Sequence, residues 1–238
     1  MDASIAAAEV PRLVERRVAI IVVVSVAVVT AATLGATHFL GRSRPPEPSA
    51  RARAELLRLA TAQQHATWLV HYEFDRVLHN GQRLKQAATE ANRPPVHVTA
   101  SGGNVTVDFG ARTASCTATG ARASCIEEPS DPSLQPAQVY RVVTSLGAYT
   151  VAQRSDRTIA GDRASCFRLK ATGAMTVPSL GPLTDVCYSA DGVPLFSEIR
   201  TATATTTRVA ESVDRKVTNA TLDALLQELD QKQATAGH

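Results

Sequence analysis

Aromatic side chains are scarce in this chain of 238 residues: one Trp, four Tyr and five Phe. A core with so few of them is built from Val, Leu, Ile and Ala. Lysine is rarer still, four residues against 21 Arg, a bias typical of GC-rich bacterial genomes that carries no chemistry. Excess charge is also missing where a phosphate-binding surface would need it. Residues 54–238 hold eighteen basic and eighteen acidic side chains, and the net +3 arises wholly in residues 1–53, with seven Arg against four acids. A neutral folded part excludes nucleic acid as the expected partner. The sequences G-x-S-x-G, H-E-x-x-H, G-x-x-x-x-G-K-[ST] and G-x-G-x-x-G do not occur. Serine-hydrolase, zinc-protease and nucleotide-binding readings lose their motifs with them, and no cofactor is expected. No cysteine precedes Cys116, so Leu34-Gly35-Ala36-Thr37 has the outline of a lipobox without the residue that accepts the lipid.

One long stretch lacks charge altogether. From Val18 to Leu40 no Asp, Glu, Lys or Arg occurs. Twenty-three residues at ~1.5 Å each span ~35 Å, enough for a hydrocarbon core of ~30 Å with some tilt. The expectation is a membrane helix over 18–40, a tail over 1–17 and a Pro- and Arg-rich linker over 41–54. Thr30-Ala31-Ala32 offers a signal-peptidase site, but the apolar run is longer than a signal h-region of about 7–15 residues, which favours a retained anchor. Arginines flank the span on both sides (Arg12, Arg16 and Arg17 before it; Arg42, Arg44, Arg51 and Arg53 after). Charge alone therefore leaves orientation open.

The four cysteines supply it. In Cys116-Thr-Ala-Thr-Gly-Ala-Arg-Ala-Ser-Cys125 a two-residue turn at Gly120-Ala121 has Gly first, as a type II′ hairpin needs. Counting outward from the 119/122 pair puts Cys116 opposite Cys125 at a closely spaced, non-hydrogen-bonded position where a disulfide fits. Cys166 and Cys187, in the apparent strands ASCFRLKA and TDVCYS, form the second pair. Zinc would need short ligand spacings such as C-x2-C, and a catalytic thiol would want a neighbouring His, whereas none lies between residues 98 and 237. Two structural disulfides imply an oxidising compartment, hence a cytoplasmic N-terminus and an extracytoplasmic domain over 55–238.

Along that domain, Leu56, Leu57, Leu59 and Ala60 predict a short helix over Glu55–Gln64. From Thr67 the period becomes two: Trp68, Val70, Tyr72 and Phe74 share one face, and Leu69, His71, Glu73 and Asp75 the other. Further strands are read at Val96–Val98, Val105–Phe109, the cysteine hairpin, Tyr149–Gln153, Ala164–Ala171, Asp185–Ser189 and Leu195–Thr207. Turns fall at Asn80-Gly81, Ala160-Gly161-Asp162 and Asp191-Gly192. Helical spacing recurs over Gln138–Leu146 and over Thr221–Lys232. The sum is an α+β fold with an antiparallel sheet of eight or so strands. His71, His79 and His97 could meet across neighbouring strands and bind a metal, but His71 falls on the polar face of its strand and a solvated histidine is the simpler reading. Glu73 and Asp75 read as charges on the same wet face.

The run Arg157-Thr-Ile159-Ala160-Gly161-Asp-Arg-Ala164-Ser-Cys166-Phe167, followed by Cys187-Tyr188-Ser-Ala-Asp191-Gly192-Val-Pro194-Leu195 and a Thr-rich strand, resembles extracytoplasmic proteins with the LolA-like lipoprotein-carrier fold. The likeness is to actinobacterial lipoproteins of the LppX and LprG kind. It implies a bent, incomplete barrel around an apolar cavity with helices as a lid. The lipidated cysteine of those proteins is replaced here by the membrane span. Taken alone, the face of Trp68, Val70, Tyr72 and Phe74 reads as ordinary core. With the resemblance it reads as cavity lining for a lipid or acyl chain. The expected function is a membrane-anchored, non-catalytic binding module for a lipid or another apolar envelope molecule. The alternative is a sensor or interaction domain that binds an envelope or membrane protein, since an extracytoplasmic regulator of sigma-factor signalling shares the LolA-like fold.

Overall fold

The structure, a computed structural model, describes residues 47–223 apart from 120, 121, 132, 134, 174 and 175. The expected span 18–40 and most of the helix expected over 221–232 lie outside the described residues. Among those residues no helix is long and apolar enough to cross a membrane.

Helix α1 runs Pro48–His65. It begins seven residues before the Glu55 start expected from the leucines, because Pro48 at the first turn is preorganised for a helix and Ala and Arg are strong helix formers. Its buried residues Ala52, Leu56, Leu59 and Ala60 follow the helical i, i+4, i+7, i+8 stripe. Helix α2, Pro136–Ser145, again starts on a proline and is followed by Gly147 at φ +67°, the left-handed position that ends helices.

Twelve strands form one antiparallel sheet. In chain order they are β1 Trp68–Leu78, β2 Arg83–Arg93, β3 Val96–Ser101, β4 Asn104–Asp108, β5 Arg112–Thr119, β6 Arg122–Pro129, β7 Tyr149–Gln153, β8 Arg157–Ile159, β9 Asp162–Ala171, β10 Leu183–Ser189, β11 Pro194–Arg200 and β12 Ala204–Asp214. Their spatial order is β6-β5-β4-β3-β2-β1-β12-β11-β10-β9-β7, with β8 paired to β9. The count exceeds the expected eight for three reasons. The segment expected as one strand over Leu195–Thr207 is two, split where the Thr201 hydroxyl accepts the backbone N–H groups of Thr203 and Ala204. The short β8 carries only Ile159 as a buried residue. Strand β2 has no alternating apolar pattern, because one of its faces is polar.

That polarity follows the registers. One row across the sheet reads Val70, Glu90, Thr99, Thr106, Ser115, Ile126; the next reads Trp68, Asn92, His97, Asp108, Thr113, Glu128. The opposite face carries Leu69, Ala91, Val98, Val107 and Ala114. In the half built from β2–β5, Ala91, Val98, Ala100, Val105 and Val107 are buried under Val217 and Leu222 from the chain beyond β12. In the other half the buried side is the reverse one: Val151, Phe167, Leu169, Val186 and Tyr188 pack under Leu56 and Leu59 of α1 and Tyr140 and Val143 of α2. We call the helix-covered side the inner face. The sheet thus changes its buried side from one half to the other, and β1 with β12 forms the seam.

At the seam Trp68, Val70 and Tyr72 pack with Ala88, Val193, Leu195 and Ala210, and the Cys166–Cys187 bridge belongs to the same cluster. Both expected disulfides are formed, Cys116–Cys125 with Cα atoms 4.0 Å apart and Cys166–Cys187 at 4.1 Å. Each joins directly opposite residues of adjacent strands. Arg215, just past β12, donates to Asp191 at 2.6 Å and to Asp162 at 2.7 Å, tying together the two turns that precede β9 and β11. It holds the Asp191 carboxyl down at about 2, against partial burial and with help from the Ser189 hydroxyl.

The Asp191-Gly192 turn sits against the end of α1. Gly192 has φ +87°, and a Cβ there would lie 2.7 Å from Leu59 O, Gln63 N and Ala62 Cβ. Gly103 has φ +82° with nothing within 4 Å. Gly103→Ala is therefore expected to lose only the left-handed backbone cost of roughly 1–2 kcal/mol. Gly192→Ala adds overpacking of roughly 1–3 kcal/mol, measurable as a larger drop in denaturation midpoint. Equal losses in the two variants would contradict the close helix–turn contact.

Candidate functional site

The four aromatic-strand residues divide. Trp68, Val70 and Tyr72 are fully buried in one cluster, with at most 1% of their surface accessible. Phe74 is half-buried, stands opposite Gln86 and Arg208, and is not brought into that cluster. The Tyr72 hydroxyl donates to Pro194 O at 2.7 Å and the Trp68 indole N–H to Gln63 O at 3.4 Å. Of the four, Trp68 borders open space.

That space is a cleft of about 330 Å³ where the helix cover of the inner face runs out. The end of α1 supplies Gln63 and Gln64, the start of α2 Gln135, Pro136 and Gln138, and the sheet Trp68, Asn92, His97 and Asp108, with Pro94 and Pro95 at the β2–β3 turn. Asn92 fixes the wall: its Nδ2 donates to Gln63 O at 3.0 Å and Ala66 O at 2.6 Å, bonding β2 to the C-terminal end of α1. Across the cleft Gln135 Nε2 and Ser130 Oγ each reach Asp108 Oδ2 at 3.4 Å. The His97 ring meets the Trp68 ring edge-on, centroids 5.9 Å apart, and its buried Nε2 has no protein partner. Burial holds the imidazole below its ordinary pKa; Glu90 and Asp108 pull it upward, and Arg208 opposes them.

A smaller cavity of about 130 Å³ lies deeper, sharing Gln63 and Pro136 with the cleft. Its walls mix Leu180, Val186, Phe196 and Ile199 with Thr184, Ser197, Tyr140, Tyr188 and Arg208. Arg208 Nη1 donates to Glu90 Oε1, and the guanidinium lies over the Tyr72 ring with Cζ 4.5 Å from its centroid. Burial works against the Arg208 charge, but Glu90 and the surrounding tyrosine oxygens more than offset it and the guanidinium stays protonated. The hydroxyls of Tyr140 and Tyr188 stand 3.3 Å apart, and burial pushes both above the usual phenol range. Tyr72 is likewise raised by burial, which outweighs the opposing pull of Arg208.

Sequence reasoning missed Glu90 and Arg208. Their signal was faint: single charges within the runs Ala-Thr-Glu-Ala-Asn and Thr-Thr-Thr-Arg-Val, whose partners lie 118 residues apart. Other singled-out groups do not converge. His71 bonds Thr89 Oγ1 at 3.0 Å on the outer face, while His97 points into the cleft and His79 is an exposed residue after β1. Glu73 pairs with Lys85 at 2.8 Å and Asp75 with Arg83. Among the described residues no cluster of three metal-ligating side chains occurs.

No family model and no curated protein matches the sequence. By structure the chain is similar to MucB, with 15% identity over 71% of this chain and a TM-score of 0.50. The match spans 60% of the MucB chain, less than two thirds of its length. LprF from Mycobacterium bovis aligns at 10% identity over 72% of this chain and 96% of its own, TM-score 0.39. A LolA superfamily protein from Nitrosomonas europaea aligns at 6% over 71% and 96%, TM-score 0.32. The MucB likeness is one of fold: a large open antiparallel sheet with few helices, the class expected from the sequence.

Two predictions test the electrostatics. Arg208→Met leaves Glu90 buried without its cation and is expected to lose roughly 3–5 kcal/mol of stability. Adding Glu90→Gln should return most of that loss in chemical denaturation, and a double variant as unstable as the single one would contradict the pairing. For His97, the unfolded chain takes up a proton first as pH falls below about 6.5. The residue's contribution to stability is therefore present above that pH and lost as pH falls toward the depressed folded value. His97→Gln should flatten the stability–pH curve in the window just below about 6.5.

Proposed function

We propose that this chain is a non-catalytic binding module, held at the cell membrane by residues 18–40, whose extracytoplasmic domain takes a small envelope molecule with apolar surface onto the inner face of its sheet. One observation carries the reading. The cleft of about 330 Å³ and the cavity of about 130 Å³ lie side by side, with Gln63 and Pro136 in the walls of both. The cleft alone stands at the low end of the volume range of small-molecule sites, roughly 300–1,000 Å³. Their walls combine apolar area from Trp68, Leu180, Val186 and Ile199 with amides, hydroxyls, His97, Asp108 and Arg208, so that apolar surface can give affinity and polar groups orientation. Beneath α1 and α2 the inner face is mainly apolar, so displacement of these helices would lengthen the site toward Phe167 and Leu169. The two disulfides support the extracytoplasmic address.

A second reading, a segment of a partner envelope protein on the same face, is favoured by a different observation. The inner face of β3–β6 is hydroxyl-rich and accessible: Thr99, Ser101 and Thr106 are half-buried, Ser115 is exposed, and Ile126 is 62% accessible. Hydroxyls suit the unpaired N–H and C=O groups of an extended chain.

Native mass spectrometry of the full chain, released from gentle detergent, separates the readings. The small-molecule reading expects a bound mass of several hundred daltons that is lost on Trp68→Ala or Leu180→Glu. Ligand-free protein that cross-links in cells to an envelope protein through Thr106 or Ile126 positions would favour the partner segment. Neither result would remove the binding-module reading altogether.

A further inference from the structure

Among the described residues three buried side-chain polar atoms lack a protein partner: Gln63 Oε1, His97 Nε2 and Arg208 Nε. All three line two neighbouring cavities, His97 in the outer one, Arg208 in the inner one and Gln63 in both. Buried polar groups are normally satisfied, and each exception in a native fold calls for a reason, a ligand or bound water foremost. Three exceptions gathered around two neighbouring cavities call for a common explanation.

The arginine sets the chemistry. Its Nη1 is taken by Glu90, and its π face lies over Tyr72. What remains is the edge that carries Nε, on a side chain with 26% of its surface still accessible. A guanidinium edge presents two parallel N–H donors, a geometry matched by a carboxylate. With Glu90 already balancing one charge, a dianionic group would be strongly disfavoured in so enclosed a space, whereas a monoanion can draw on the nearby Tyr140 and Tyr188 hydroxyls as additional dipoles. The inner cavity holds only a head group, and its apolar walls of Leu180, Val186 and Ile199 suit a hydrocarbon body leading back toward Gln63. There the free amide oxygen of Gln63 accepts from an N–H or O–H.

We propose that the ligand of the inner face is anchored by a carboxylate, received on the Nε edge of Arg208, with Gln63 Oε1 accepting from a donor farther along the same molecule. This deepens the small-molecule reading above and rests on the inner face being a ligand site. A carboxylate with an apolar body has two sources, a free fatty acid or a peptide C-terminus. Both supply the group that Arg208 receives, but only the peptide supplies a donor for Gln63, so an acid preference shown by laurate alone would remove Gln63 from the proposal.

The test uses the full chain in amphipol. Trp68, the one tryptophan of the sequence, borders the outer cleft and reports occupancy by its fluorescence. Four probes are titrated: laurate, lauramide, acetyl-alanyl-leucine and its C-terminal amide. At least one acid is expected to bind ten times or more tighter than its amide, and the pair that shows the preference identifies the source. The double variant Arg208→Met/Glu90→Gln, chosen because it leaves no buried charge unpaired, should abolish the preference. Gln63→Met removes an unsatisfied acceptor, so it should weaken the peptide acid but leave laurate, which has no donor, unchanged. Acid and amide binding alike, an acid preference that survives in the double variant, or no saturable response to any acid would each overturn the proposal. The last outcome would assign the three atoms to bound water. A co-purified neutral molecule in the native mass spectrum would then show that the binding module stands while its carboxylate anchor does not.

Discussion

A sheet of twelve strands has two faces to cover, and in this domain different parts of the chain cover opposite faces of its two halves. That constraint organises everything else. The alternation of side chains along each strand must carry apolar residues outward in β2–β5 and inward in β7, β9 and β10. The seam where this changes, β1 with β12, must be apolar on the inside and still meet polar neighbours. Tyr72 does both. Its ring packs among Val70, Ala88 and Ala210, its hydroxyl bonds Pro194 O, and its face carries the Arg208 guanidinium. The Glu90–Arg208 pair then bridges β2 and β12 across the intervening β1 without exposing either charge fully. A buried pair of this kind contributes little net stability compared with apolar packing, yet its loss on one side only is costly. It fixes which residues of β2 and β12 face inward, and therefore fixes register.

The cleft is a product of the same change of side. Where the helices end, the inner face turns from apolar to polar, and packing has no apolar surface left to close over. Gln63, Asn92, His97 and Asp108 gather at that boundary because they are the first residues beyond the cover. A site placed there is held by rigid elements: α1 through Asn92, α2 through Gln135, and the sheet through its ladders. Asn92 is aimed by backbone carbonyls of α1 and Asp108 by the Gln135 and Ser130 side chains, which gives the polar groups of the site a set orientation.

How much of this was legible in the sequence depends on which kind of neighbour each residue has. Strand β1 could be read because alternation survives on it. The cysteine hairpin could be read because a turn residue and two cysteines sit within ten positions. Strand β2 could not, since its inner residues Glu90 and Asn92 are satisfied by β12 and by the end of α1, partners far away in sequence. Its apolar residues Ala88 and Ala91 are too small to mark a period. The division of Leu195–Thr207 was hidden for another reason: a threonine hydroxyl makes that turn, and no Gly or Pro announces it. The aromatic stripe was visible as a stripe, but its division between seam core and cleft wall depends on where α1 stops. Helix α1 was read seven residues short at its start, and its end at Gln64 was within one residue.

Both disulfides join residues close in sequence, nine and 21 positions apart, and neither crosses the seam. If the domain is exported in sequence order behind its anchor, as proposed, Cys116 can close on Cys125 before Cys166 has appeared. When Cys166 and Cys187 follow, they meet no free thiol but each other. The order of emergence alone selects one of the three possible connectivities. Sequential pairing of this kind needs no isomerase to correct it.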